Sequence, residues 1–190
     1  PVNNTSSPIT IEFKALAIVT GLSACPGDTS RHYVTVNPKP RIPDTTLSVC
    51  SGEPFTFSPA NNAPYIILPA NTTYTWTVSG SSNVTGYSDQ TVETSMVSQT
   101  LFNLSNTPQT VVYNVSPVSI LPGAPDSCRG NTFQLLVTVK PRPSIPTLFD
   151  TICSGEFFSV AGINGVPNSS VIVPSNTLYS WTSANTTGTN

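Results

Sequence analysis

The chain has 190 residues, enough for one large domain or two ordinary ones, yet only 8% are charged and the formal net charge is −2. Seven basic residues cannot form a stripe that neutralises phosphates, which argues against a nucleic-acid binder, and no apolar run approaches the roughly 20 residues that span a bilayer. One histidine and nine carboxylates leave an enzyme few parts, and 37% apolar residues with Ser, Thr and Asn at over a third of positions point to a polar-faced β protein.

In chain order, strand patterns fall at residues 46–49, 55–58, 73–78, more weakly near 92–97, then at 99–104, 110–115 and 133–139. Thr73-Tyr74-Thr75-Trp76-Thr77-Val78 and Thr110-Val111-Val112-Tyr113-Asn114-Val115 alternate with period two and are rich in β-branched and aromatic residues. No amphipathic helix interrupts them. About seven short strands in about 100 residues, with turn signals between, is the pattern of an immunoglobulin-like sandwich. Trp76 is then the core residue of the third strand, and an exposed, sugar-stacking Trp76 is the less expected reading. Tyr113 falls on the sixth strand, where antibody domains carry Tyr-x-Cys. Here Val115 replaces the cysteine, so the usual inter-sheet disulfide is missing.

The chain also repeats itself, with a period of about 103 residues. Cys25-Pro26-Gly27 and the following Tyr33-Val34-Thr35-Val36-Asn37-Pro38 return as Cys128-Arg129-Gly130 and Leu136-Val137-Thr138-Val139-Lys140-Pro141. Cys50-Ser51-Gly52-Glu53 returns as Cys153-Ser154-Gly155-Glu156, and Trp181 stands in the second repeat where Trp76 stands in the first. Pro8-Ile9-Thr10-Ile11-Glu12-Phe13 matches Pro108-Gln109-Thr110-Val111-Val112-Tyr113. The expected organisation is all-β: tandem sandwiches, with 1–40 the closing part of one repeat, 41–143 a complete repeat and 144–190 the opening part of the next. Proline-rich linkers near residues 41 and 143 are extended, semi-rigid spacers. Opening at Pro1 without a signal peptide fits a section of something longer.

Cys-Ser-Gly-Glu, Pro-x-x-Thr-x-Tyr-x-Trp, Leu-x-Asn-x-Ser (Leu101 to Ser105), Cys-x-Gly-Asn-Thr-Phe (Cys128 to Phe133) and Val-Thr-Val-x-Pro-x-Pro (Val137 to Pro143) follow in that order. This order resembles the PKD-like repeats of Bacteroidota surface proteins. The resemblance implies a stalk segment of a large secreted cell-surface adhesin or filament, spacing or presenting binding domains. It also implies export by the type IX system and kinship with the adhesins of gliding bacteria. The implied location is extracellular, at the cell surface. The implied partners are neighbouring repeats, with further copies of the chain or surface glycans as candidates and neither nucleic acid nor membrane insertion. The alternative function is a carbohydrate-binding accessory module of a secreted hydrolase.

Four cysteines in a low-charge chain fit an oxidising compartment. Two pairings fit the repeat: Cys50 with Cys128, the favoured one, or Cys25–Cys50 with Cys128–Cys153. Their spacing does not suit a zinc knuckle, and scattered carboxylates, Asp126 among them, disfavour calcium. His32 and Asp28 have no counterparts in the next repeat, and no catalytic set assembles, so no enzyme, cofactor or metal is expected. Asn-x-Ser/Thr occurs at Asn3, Asn4, Asn71, Asn83, Asn103, Asn168 and Asn185, and Asp44-Thr45-Thr46 and Asp150-Thr151-Ile152 resemble a short O-glycosylation motif. The ends are each half a sandwich, leaving Phe13, Tyr33 and Val34 on one side and Phe158, Val160 and Trp181 on the other without part of their core. They are expected to be ordered by the rest of a longer molecule or by another chain, Cys153 of one approaching Cys25 of the next.

Overall fold

Period-two alternation of β-branched and small polar residues makes each strand two-faced, and the faces find partners only where two sheets meet. The computed structural model describes residues 1–21, 25–120, 127–159 and 161–182. Asp126, Val160 and Asn185 lie outside the described residues, as do the side chains of Cys25 and Pro26. Among the described residues every helix-or-strand element is a strand. They are β1 (Ile9–Val19), β2 (Cys25–Val36), β3 (Thr45–Cys50), β4 (Pro54–Phe57), β5 (Thr72–Gly80) and β6 (Val84–Thr85), then β7 (Gln90–Thr94), β8 (Val97–Thr100), β9 (Phe102–Asn103), β10 (Gln109–Ser119), β11 (Cys128–Arg129) and β12 (Phe133–Lys140).

The main sheet runs in the order β3-β12-β10-β5-β7, with β11 also on β10. Its pairs are antiparallel except β3 and β12, which run parallel from Leu135↔Thr45 to Lys140↔Cys50. The facing layer consists of the β4–β8 and β6–β9 pairs. Between the layers lies the core. β10 buries Val111, Tyr113 and Val115, and β12 buries Phe133, Leu135, Val137 and Val139, alternate residues in each case. Phe55 and Phe57 of β4, Val97 of β8 and Leu101 close over them. The Phe57 and Phe133 rings meet at 5.6 Å between centroids. Each large apolar side chain buried this way contributes roughly 1.5–3 kcal/mol.

Two expected strands are subdivided. The run at 99–104 splits into β8 and β9, because Leu101 between them turns wholly into the core. The run near 92–97 is the end of β7, a bend at Ser95-Met96, and the start of β8.

Outside this core the chain is thinner. β1 and β2 form a two-stranded antiparallel ribbon in which Ile11 pairs Val34 and Phe13 pairs His32. One face carries Thr10, Glu12, Tyr33 and Arg31, with Glu12 accepting from both the Arg31 guanidinium and the Tyr33 hydroxyl. Tyr33 therefore belongs to the polar face, not to an apolar one. The other face carries Ile11, Phe13 and Val34, and Phe13 is 49% exposed. In the segment 144–182 the described residues form turns and one isolated bridge, Ser144↔Ile172, without paired strands.

Candidate functional site

Trp76 lies in the core, 5% exposed, its indole N–H donating to the Ser88 carbonyl at 3.0 Å. Its ring stands edge-on to Tyr113, with centroids 6.4 Å apart at 67°. Tyr113 in turn meets Phe55 at 5.4 Å and 65°, so aromatic contacts run from one layer to the other. The Tyr113 hydroxyl donates to Gln99 Oε1 of β8 at 2.8 Å, and Gln99 Nε2 donates to the same Ser88 carbonyl that Trp76 uses. These five residues tie the sheets where an inter-sheet disulfide would otherwise stand. Burial pushes Tyr74 up to about 12 and Tyr113 further still, because the phenolate loses its hydration.

Trp181, expected in an equivalent core, is 85% exposed, because the strands that would cover it are not assembled around residues 144–182. Phe158 is likewise exposed.

The favoured Cys50–Cys128 disulfide is not formed. Both are free thiols, as is Cys153. The reason is strand direction. β3 runs parallel to β12, so Cys50 ends beside Lys140, whereas Cys128 pairs with Ser119 at the far end of β10. β10 spans the distance between those ends from Gln109 to Ser119, about 30 Å at about 3.3 Å per residue. A disulfide requires Cα atoms within about 7 Å. Cys153 consequently has no reason to approach Cys25 in the arrangement expected above.

The sequence marks Asn103 only as one of several sequons; in the structure it is a buried staple, 2% exposed. Its Nδ2 donates to the Thr107 carbonyl at 2.8 Å and to the Val139 carbonyl at 2.9 Å. Its Oδ1 accepts from the Ser105 amide and hydroxyl, and its own amide donates to Ser51 Oγ. This locks the turn before β10 to the end of β12. Asn3 makes the same set on the ribbon: Nδ2 to the Ser7 and Val36 carbonyls, both at 2.8 Å, and Oδ1 to the amide and hydroxyl of Thr5. The recurrence of Asn-x-Ser/Thr ahead of Pro8 and Pro108, each just before an alternating strand, was the available signal.

The remaining polar candidates stay apart. His32 is exposed on the ribbon, 3.1 Å from Ser30 Oγ. Asp44 accepts the Gln134 amide at 2.7 Å, and Asp150 accepts that of Thr151 at 2.8 Å, so both carboxylates order backbone near the linkers. Among the described residues no group of three or more His, Cys, Asp or Glu gathers as a metal site. Likewise no helix there is long and apolar enough to cross a membrane. A cleft lined by Val2, Val36, Asn37, Pro40, Gly130 and Asn131 lies at the junction of ribbon and sandwich. Gly130 is required there, because a Cβ would stand 2.2 Å from the Pro40 carbonyl oxygen.

No curated protein matches the chain. A family model described as a PKD-like domain matches residues 46–143, a stretch that takes in all ten strands from β3 to β12 but for Thr45 and covers just over half of the sequence. The chain belongs to the PKD-like domain family.

Proposed function

We propose that the chain is a stalk segment of a large secreted surface protein, an adhesin or filament, in which tandem PKD-like sandwiches space or present binding domains. PKD-like domains are typical of extracellular multidomain proteins. The observation that carries the tandem reading is the doubled asparagine staple with its doubled register. Phe13↔His32 in the ribbon stands where Tyr113↔Leu135 stands in the sandwich, and Asn3 bonds as Asn103 does. Further support comes from the next segment. Thr177 Oγ1 donates to the Pro174 carbonyl at 2.7 Å as Thr72 Oγ1 does to Pro69, and Asn176 and Asn71 both adopt positive φ.

The proposed role is mechanical. No catalysis, cofactor or metal is assigned to the chain, and its partners are the neighbouring sandwiches of the same molecule. The proposed location is the cell surface, with type IX export and a gliding-type adhesin as the kinship the motif order implies. The carbohydrate-binding alternative calls for an exposed Trp or Tyr as its stacking ring; Trp76, whose loss was to test it, lies in the core. Small-angle scattering on a protein carrying several consecutive units should give an elongated particle whose length grows by one sandwich per unit. A compact particle of constant aspect ratio would reject the stalk.

A further inference from the structure

Residues 37–42, expected as an extended spacer, alternate instead between cover and water. Pro38, Pro40 and Ile42 are buried, while Lys39 and Arg41 are exposed. Two main-chain bonds pin this stretch to the loop at residues 61–68. The Arg41 N–H donates to the Ile67 carbonyl at 2.8 Å, and the Ile67 N–H donates back to the Arg41 carbonyl at 2.9 Å. The loop is itself braced, since Asn61 Oδ1 accepts the Leu68 amide at 2.9 Å and Asn62 and Ile66 form a bridge of their own. From the other side Gly130 closes on the linker. A Cβ there would stand 2.2 Å from the Pro40 carbonyl oxygen, and the Gly130 N–H is fixed to the Pro117 carbonyl of β10 at 2.9 Å.

The second linker carries the same device. Ser144 and Ile172 exchange two main-chain bonds, both at 2.9 Å, and Asn164 Oδ1 accepts the Val173 amide at 3.0 Å. Ile145, in the place of Ile42, packs so close to Gly162 that a Cβ there would stand 2.9 Å from its Cδ1. Linker and loop recur as a unit.

We propose that linker and loop form a locked joint, shut to proteases that cut after basic residues. Such a protease must draw the scissile bond and its flanking residues into its own cleft as an extended strand, which a strand already bonded to a neighbour supplies only by opening. The basic residues of the two linkers are Lys39, Arg41, Lys140 and Arg142. Lys39, Lys140 and Arg142 each precede a proline, whose ring and missing N–H obstruct cleavage. Arg41 precedes Ile42 instead, and there the fold supplies the guard. Both main-chain groups of Arg41 are bonded to Ile67, and Ile42 is 7% exposed. In a surface stalk the consequence is a connection between units that survives where secreted proteases act.

The inference deepens the tandem reading, but its test reads the joint alone: an unlocked joint would leave the stalk standing, and a compact particle in scattering would leave the joint standing. The intact chain is treated with trypsin beside a synthetic peptide of residues 37–45, and mass spectrometry follows the new N-terminus at Ile42. The native chain should release it about 100-fold more slowly than the peptide, or slower still. Gly130→Ala drives a Cβ into the Pro40 carbonyl, and Asn61→Ala removes the brace of the loop. Each should speed the cut about tenfold, while the urea midpoint of the main transition reports an intact sandwich. A native chain cut as fast as the peptide would overturn the locked joint. Cutting in both variants at the native rate would overturn the part given to Gly130 and Asn61.

Discussion

The ribbon β1–β2 and the pair β10–β12 are the same piece of local structure in two states of cover. Their registers coincide residue for residue, and each is stapled by an asparagine to its last strand. Yet Tyr113 is wholly buried and Phe13 is 49% exposed. Alternation, turn chemistry and pairing are thus local properties that both segments satisfy. Stability is not local, because a two-stranded hairpin is marginal in water without a second layer on its apolar face. The comparison assigns most of the molecule's folding energy to residues 41–143.

The largest contrast should come from the two tryptophans. Trp76→Ala removes a buried ring and its hydrogen bond to Ser88, and should cost about 3–5 kcal/mol in urea unfolding. Trp181→Ala, at a ring 85% exposed, should change stability by no more than about 0.5 kcal/mol. Equal losses would break the comparison. Asn103→Ala strands the carbonyls of Thr107 and Val139 and should cost about 1–3 kcal/mol, whereas Asn3→Ala should leave the main transition in place.

Alkali supplies a third contrast. Tyr74 and Tyr113 are raised in the folded state, so their contribution is full below their ordinary pKa of about 10 and is lost as pH climbs toward the folded values. Each should remove up to about 1.4 kcal/mol per pH unit in that window, and the urea midpoint should fall there. Among the core changes the mildest is Tyr113→Phe, which keeps the ring and loses the bond to Gln99, for about 1 kcal/mol.

Much of this was legible in the residues. Trp76 and Tyr113 sit in strands whose alternation alone selects an inner face, and their neighbours in sequence bear it out. The cysteines were not legible, because periodicity carries no direction. Only the parallel pairing of β3 with β12 sends Cys50 to the end opposite Cys128. Asn103 was hidden for a different reason: its partners Ser51, Thr107 and Val139 are brought together by tertiary folding, and its local motif also spells a sequon. The fates of Phe13 and Trp181 follow from what covers them, which no window around either residue contains.

Hydrogen exchange on the dilute, intact chain tests the central claim most directly, since it reads both members of the comparison in one molecule. Amides of Val111, Tyr113, Val115 and Val137 should exchange only through global unfolding of the sandwich. Those of Ile11, Phe13 and Val34, paired in the same register but uncovered, should exchange through local opening, faster by orders of magnitude. Equal, global protection in β1–β2 and β10–β12 at high dilution would contradict the account.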